Sequence, residues 1–173
     1  MKRSLSVICL ILAIGVLPLA AQPAPAMPDW NTWKFVMGEW IGDGSGAPGE
    51  GTGGFTFGPE LGGRILVRHS RAEYPATKDR PAVNHVDLLI IYQEAGATKG
   101  SYWDNEGHFI AYDASIGPDG AITLVSPVVQ GAPRFRFVYE PLSDGGVGMR
   151  FEMAPPGKPD AFQVYTKGTA HKK

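Results

Sequence analysis

The chain has 173 residues, with 16 basic and 17 acidic side chains, 23 glycines, 15 prolines and one cysteine. Its charge is nearly balanced, and no lysine or arginine cluster precedes the last three residues, which argues against nucleic acid as a partner. The cysteine, Cys9, lies in an apolar N-terminal stretch, so the rest of the chain has no disulfide, thiol nucleophile or thiolate metal ligand.

The first 21 residues have the three parts of an export signal. Lys2 and Arg3 supply positive charge, an apolar run follows over residues 5–17, and small residues end the segment at Ala21. The apolar run is shorter than the roughly 20 residues that a membrane-spanning helix needs, which disfavours the alternative of an uncleaved anchor. We therefore expect cleavage of residues 1–21 and an exported mature chain, periplasmic or secreted, without a membrane span.

A linker and a short helix are predicted ahead of the first strand. Residues 22–28 are rich in proline and alanine and are typical of a linker. Asp29 suits the N-terminal cap of a two-turn helix, on which Trp30 and Trp33 give apolar surface. So short a helix needs tertiary packing to form, and closing one end of a barrel provides it.

From residue 38 onward the pattern is typical of an all-β protein. Short runs of alternating apolar and polar residues are separated by glycine, proline, asparagine or aspartate. The predicted strands are 38–45, 52–58, 63–74, 84–93, 98–104, 108–115, 121–126, 134–140, 147–153 and 161–167. Short connections make consecutive strands antiparallel neighbours, and closure removes exposed edges. The sequence predicts a single antiparallel up-and-down β-barrel of about 8–10 strands over residues 29–168, followed by a basic tail, 169–173.

Alternation also indicates which residues share a face. In the strand 134–140, Phe135 and Phe137 face one way, while Arg134 and Arg136 face the other. The run 86–92 is apolar on both faces. We expect its outer face to be covered by the N-terminal helix or by a loop.

Residues 38–46 read Gly-Glu-Trp-Ile-Gly-Asp-Gly-Ser-Gly, a G-x-W-x-G-x-G-x-G motif. It resembles the start of the first strand in lipocalin-like (calycin) barrels, and its longer form is similar to the nitrobindin branch and its secreted bacterial relatives. The resemblance implies a barrel with a cavity for a small, largely apolar molecule and Trp40 at the closed base, and does not imply an enzyme. Nitrobindin-type haem binding uses a histidine late in the chain, but His171 falls in the expected tail. No cofactor is predicted, with haem or metal as alternatives.

A predicted hairpin in the middle of the chain carries the first candidate for chemistry. A three-residue loop over 105–107 places Asp104 opposite His108, with Tyr102 and Tyr112 on the same face. A carboxylate beside an imidazole raises its basicity and fixes its tautomer, as a general acid–base requires. In the simpler alternative, Asp104 caps its own turn and the tyrosines fill a barrel wall. The hairpin therefore supplies the catalytic pair of an enzyme or the polar contacts of a binding protein.

Two further sets of residues are weaker candidates. His69, His85 and Asp87 lie on neighbouring predicted strands and suit a zinc or iron site with nitrogen and oxygen ligands, although isolated strand histidines more often face solvent. Arg68 is the best candidate for an arginine inside the barrel, where its fork suits a ligand carboxylate, as in fatty-acid-binding barrels. The alternative for the arginines of this chain is a solvated outer face.

These patterns favour an exported barrel that binds a small apolar or amphipathic molecule in its interior. The expected ligand-binding residues are Trp40, Arg68, Tyr102, His108 and Tyr112. One alternative is an isomerase or hydrolase of small lipid-like substrates that uses Asp104 and His108 as acid and base. The other is a structural envelope protein with a filled core.

Overall fold

The computed structural model describes residues 26–44 and 51–173, which form one closed antiparallel barrel. Its ten strands are β1 (Gly38–Gly42), β2 (Thr52–Glu60), β3 (Ile65–Tyr74), β4 (Val83–Glu94), β5 (Ala97–Asp104), β6 (Phe109–Ile116), β7 (Ile122–Val125), β8 (Arg134–Pro141), β9 (Val147–Ala154) and β10 (Gln163–Lys172). Consecutive strands pair with one another, and β10 pairs with β1 to close the barrel. The predicted all-β antiparallel barrel is confirmed. The predicted signal peptide and residues 22–25 of the linker lie outside the described residues.

The last strand is longer than the sequence pattern suggests. β10 continues to Lys172, into the segment expected as a basic tail. Trp40 lies opposite Lys172 in the β1–β10 pair, and Ile41 lies opposite His171. Since Trp40 points into the barrel, His171 points outward, where its Nδ1 lies 2.5 Å from Asp43 Oδ1. His171 is therefore part of the outer wall.

The segment before β1 does not form the predicted two-turn helix. It contains a 3₁₀ helix of three residues, Asn31–Trp33, which single hydrogen-bonded turns continue to Met37. The buried side chains are Trp30, Trp33 and Val36. Their spacing of three matches the three residues per turn of a 3₁₀ helix, so this tighter winding places all three on the barrel side.

This turn closes one end of the barrel, here called the base. The Trp33 ring meets the Phe57 ring edge to face, with centroids 5.9 Å apart, and Trp40 stacks on Phe55 at 6.0 Å. The Trp40 indole N–H donates to the Val36 carbonyl at 2.8 Å. The base is filled by side chains that are almost wholly buried: Trp33, Val36, Trp40, Phe57, Leu66, Ile91, Ile122, Leu124 and Val147.

The outer surface of the barrel differs from one side to the other. On β8 and β9, Arg150 bridges Glu140 and Glu152 at 2.6 and 2.7 Å, and Arg136 pairs with Glu152, so these arginines lie on the outer face. On β4 to β6, the outward residues Val86, Trp103 and Phe109 are exposed. On the outer face of β4, Val86 is exposed while Leu88 and Ile90 are half-buried, and the N-terminal turn, which was expected as one possible cover, packs into the base instead. The two helices that the described residues form, each three residues long, are too short to cross a membrane.

The turn between β4 and β5 offers a test of local backbone strain. Ala95 has a φ of 50° and Gly96 a φ of 82°, as in the two-residue turns that favour Asn-Gly. Alanine is strained in this left-handed region, whereas asparagine tolerates it. We expect Ala95→Asn to raise the thermal midpoint by roughly 1–4 °C in a calorimetric scan. Ala97→Asn, in the adjoining strand, is the control and should give no increase.

Candidate functional site in the open half of the barrel

Contacts across the barrel show which side chains face its interior. Arg68 on β3 donates a hydrogen bond to the Tyr139 hydroxyl on β8 at 2.6 Å, and its guanidinium lies 5.1 Å from the centre of the Phe137 ring. β3 and β8 are five strands apart in a ring of ten, so they stand on opposite sides. Residues that share a face with Arg68 and Tyr139 therefore line the interior.

Arg68 is paired inside the barrel with a carboxylate of the same chain. Its Nη2 lies 2.5 Å from Asp87 Oδ1, and both side chains are almost wholly buried. The pair forms because Asp87 lies opposite Ser70, one inward position along β3 from Arg68. Burial lowers the pKa of Arg68, but Tyr139 and Asp87 raise it more, so the net pKa lies above its ordinary value. Arg68 is thus charged, and its Nε is buried without a hydrogen-bond partner.

A chain of polar contacts leads from this pair to the end of the barrel opposite the base. His85 Nε2 lies 3.6 Å from Asp87 Oδ2 and 3.1 Å from the Tyr102 hydroxyl. The other ring nitrogen of His85 lies 3.0 Å from Glu106 Oε1. Tyr102 in turn donates to Asp104 Oδ2 at 3.2 Å. Burial, Asp87 and Asp104 raise the pKa of Tyr102 above its ordinary value, so its hydroxyl remains protonated.

The predicted Asp104–His108 pair is present at the rim of this open end. Asp104 Oδ2 lies 2.8 Å from His108 Nδ1, while Asp104 Oδ1 accepts the backbone N–H groups of Glu106 and His108. Gly107, with a φ of 91°, completes the predicted three-residue loop. Burial raises the pKa of Asp104, but hydrogen bonds from His108 and Glu106 lower it more, to below its usual range. Asp104 therefore both caps its turn and holds the imidazole, which is 63 % exposed.

Tyr112 contributes an unused hydroxyl to the same interior. The residue is almost wholly buried, and its hydroxyl makes no hydrogen bond to any residue that the structure describes. Burial raises the pKa of Tyr112. Tyr112 lies opposite Gly100 on β5, one inward position along β6 from Ile110, which pairs with Tyr102. A phenol O–H that no protein group uses is available to a bound molecule.

The opposite wall of the interior is apolar and incompletely filled. Phe135 and Phe151 stack with ring centroids 5.8 Å apart and planes 10° apart, and Phe137 lies beside them. These inward-facing rings are only partly buried. Gly168 on β10 is an exposed position that pairs with the inward-facing Met149, and a Cβ built on it would meet no atom of the described residues within 4 Å. The barrel is thus filled at the base and open in the half that faces the polar wall.

The structure brings together some of the predicted site residues and separates others. Arg68, Tyr102 and Tyr112 line the interior, and His108 lies at its rim, whereas Trp40 belongs to the filled base. His85 and Asp87 are neighbours, but His69 points outward and lies 3.5 Å from Glu60. No group of three or more histidine, aspartate or glutamate side chains in the described part of the chain is arranged to hold a metal ion.

Several residues of the site were not predicted from the sequence. They are Tyr139, Glu106, the aromatic wall and Gly168, together with the role of Asp87 as partner of Arg68. The alternation along 134–140 and 147–153 contained the signal for the aromatic wall, since Phe135, Phe137 and Phe151 share one face. Gly168 gave no signal, because its importance depends on which strands surround it.

Comparison with known proteins does not assign the chain to a family. No protein-family model matches the chain, and no curated protein matches it in sequence. The closed ten-stranded antiparallel barrel is consistent with a lipocalin-like (calycin) fold. A function must therefore be argued from the site rather than from relatives, since one fold supports many functions.

Proposed function

We propose that this protein is an exported, lipocalin-like barrel that binds a small amphipathic molecule in the open half of its interior. The inward-facing Gly168, beside which no atom of the described residues lies within 4 Å of a built Cβ, carries this proposal. Soluble protein interiors are normally packed to the density of organic crystals, so unfilled space lined by aromatic rings is a typical ligand site. The space also disfavours the alternative of a structural barrel with a filled core.

The two walls of the open half suit the two parts of an amphipathic molecule. Phe135, Phe137 and Phe151 offer flat apolar surface on one side. Tyr102 and Tyr112 offer hydroxyl groups on the other. Binding sites of small molecules combine a mainly apolar lining with a few placed polar groups in this way.

Export is proposed from residues 1–21 alone. The charged, apolar and small-residue parts of this segment match a secretory signal. Intact mass spectrometry of the protein from the periplasmic and extracellular fractions of its host tests the proposal. We expect a chain that begins near residue 22, and a full-length chain in the cytoplasm would contradict export.

Filling the open space is the direct test of ligand binding. We expect Gly168→Leu to weaken binding of prodan, an uncharged naphthyl ketone whose fluorescence reports an apolar site, by at least tenfold. The new side chain points inward into the space that the ligand needs, and the backbone of Gly168 is not in the left-handed region. Stability should stay equal or rise, because glycine weakens a strand interior.

Gly58→Leu is the matched control. Gly58 is also a strand glycine, pairs with the outward-facing Val67, and a Cβ built there likewise meets no atom within 4 Å. The new leucine lies outside the barrel and should leave prodan affinity unchanged. Equal loss in both variants, or no loss in either, would place binding outside the interior.

Acid–base catalysis is the second candidate function. The fixed Asp104–His108 pair, with an exposed imidazole, favours it. An isomerase or hydrolase of small lipid-like substrates should lose turnover with His108→Gln and keep its prodan affinity. A binding protein would show no turnover to lose.

A further inference from the structure

The charges of the interior are nearly all on one wall. Among the described residues, Arg68 on β3 is the arginine or lysine buried inside the open half, and Asp87 on β4 already pairs with it. Arg80, in the loop between β3 and β4, lies at the rim of this half, 6.0 Å from the centre of the Tyr74 ring. Asp104 at the end of β5 and Glu106 in the following loop add two carboxylates beside His85 and His108. The facing residues on β8, β9 and β10 in this half carry no charge.

This arrangement leaves no positive charge for an anionic ligand. Asp87 holds the buried guanidinium, and Asp104 and Glu106 add two carboxylates towards the rim, so the buried part of the site offers no uncompensated positive charge. A ligand carboxylate would have to compete with Asp87, which is held at 2.5 Å in a nearly dry setting. Desolvating a second anion beside three carboxylates is unfavourable.

The unused polar groups near the buried pair are hydrogen-bond donors. Arg68 Nε–H is buried without a partner. The Tyr112 hydroxyl is also unpaired among the described residues. A free donor on the compensated Arg68 and a free hydroxyl on the inward face of β6 fit a polar acceptor without a charge, such as a carbonyl oxygen. The carboxylates nearby are already paired with Arg68, His85 and His108, so a ligand ammonium group would find its acceptors occupied and would place its positive charge close to Arg68.

We propose that the open half selects uncharged molecules with a carbonyl-type acceptor on an apolar body, and that Asp87 determines this selectivity by neutralising Arg68. The inference rests on the proposed function and specifies the chemical class of the ligand. It differs from the carboxylate recognition expected for Arg68 from the sequence, because the carboxylate that Arg68 binds is supplied by the chain.

The test compares three naphthalenes that share one ring system. 2-Acetylnaphthalene, 2-naphthoate and 2-naphthylmethylamine are titrated at neutral pH against prodan bound to the wild-type protein. We expect the ketone to displace prodan at concentrations at least tenfold lower than either charged compound. Equal or tighter binding of 2-naphthoate or of the amine would overturn the inference.

Two variants test the roles of single residues. Asp87→Asn leaves Arg68 uncompensated and should shift the preference at least tenfold towards 2-naphthoate, whereas an unchanged preference in folded protein would contradict the role of Asp87.

Tyr112→Phe should weaken binding of the ketone about three- to tenfold, since it removes one hydrogen bond to the ligand. It should leave the unfolding midpoint unchanged, because the hydroxyl has no partner in the chain. If Asp87→Asn does not fold, the inference is tested by the ratio of ketone to 2-naphthoate affinity in the wild-type protein and by Tyr112→Phe.

The outcomes separate this inference from the proposed function. If 2-naphthoate binds best and Gly168→Leu abolishes its binding, the proposed interior site is supported and the proposed selectivity for uncharged ligands is contradicted. If neither prodan nor any naphthalene binds to the wild-type protein, the proposed function fails and the inference fails with it. If the ketone binds tightly to the wild-type protein and both Gly168→Leu and Asp87→Asn alter that binding, the proposed function and the selectivity are both supported.

Discussion

Replacing Arg68 by methionine is expected to lower the free energy of unfolding by about 3–5 kcal/mol, because the Asp87 carboxylate is then buried without its cation. Methionine keeps much of the length and apolar volume of the arginine stem, so the loss comes mainly from the unpaired charge. Urea unfolding followed by circular dichroism measures it. The double variant Arg68→Met/Asp87→Leu should recover most of the loss, since replacing both ions of a buried pair by apolar residues is often nearly neutral.

Arg150→Met is the matched control for this prediction. Arg150 bridges Glu140 and Glu152 on the outer face, where its side chain is 32 % exposed. When the arginine is removed, water solvates the exposed Glu140, and the buried Glu152 keeps its ion pair with Arg136, so the loss should be no more than about 1 kcal/mol. An equal loss in Arg68→Met and Arg150→Met would mean that water reaches the interior pair as easily as it reaches the outer face.

The features that the sequence predicted well are those decided over a few residues. Each of the ten strands was expected near its observed position, because alternation and turn residues are local signals. The Asp104–His108 pair follows from a three-residue loop for the same reason. The hairpin also shows that two interpretations of a motif are compatible, since Asp104 both caps the turn and orients His108.

The features that the sequence did not predict depend on pairing between strands that are far apart in the chain. Residues 169–173 were expected as a basic tail, but residues 169–172 form the end of β10 because they pair with β1 and β9. The contact between His171 and Asp43 spans 128 positions of the sequence. No local pattern predicts such a strand, because its stability comes from closing the barrel.

The inward face of the central hairpin could not be chosen from composition. Both of its faces are aromatic, yet Tyr102 and Tyr112 point inward while Trp103 and Phe109 pack together outside, with ring centroids 5.2 Å apart. The pairing of Arg68 with Asp87 is likewise set by the register of β3 and β4, which sequence alone leaves open. The site was therefore predicted as a set of residue types and not as a geometry.

Replacing Trp40 by alanine should cost about 3–5 kcal/mol of the free energy of unfolding, the loss typical of truncating a large buried aromatic side chain. Trp40 stacks on Phe55 and is only 2 % exposed in the base. Trp40→Phe keeps part of the packing and should cost less, although the Val36 carbonyl loses the indole N–H at 2.8 Å. Urea unfolding followed by far-ultraviolet circular dichroism measures the losses.

Trp103→Ala is the control that separates a buried tryptophan from an exposed one of the same barrel. Trp103 lies on the outer face with 40 % of its surface exposed, and Phe109 is its aromatic neighbour. Its truncation removes less buried surface and leaves no closed cavity, so the expected loss is about 1 kcal/mol. A loss for Trp40→Ala no larger than this would mean that the base does not depend on the tryptophan of the Gly-x-Trp motif. A large loss of stability in Trp40→Ala but not in Trp103→Ala would show that the motif closes the barrel. Unchanged prodan affinity in the folded Trp40→Phe protein would show that the motif takes no part in binding.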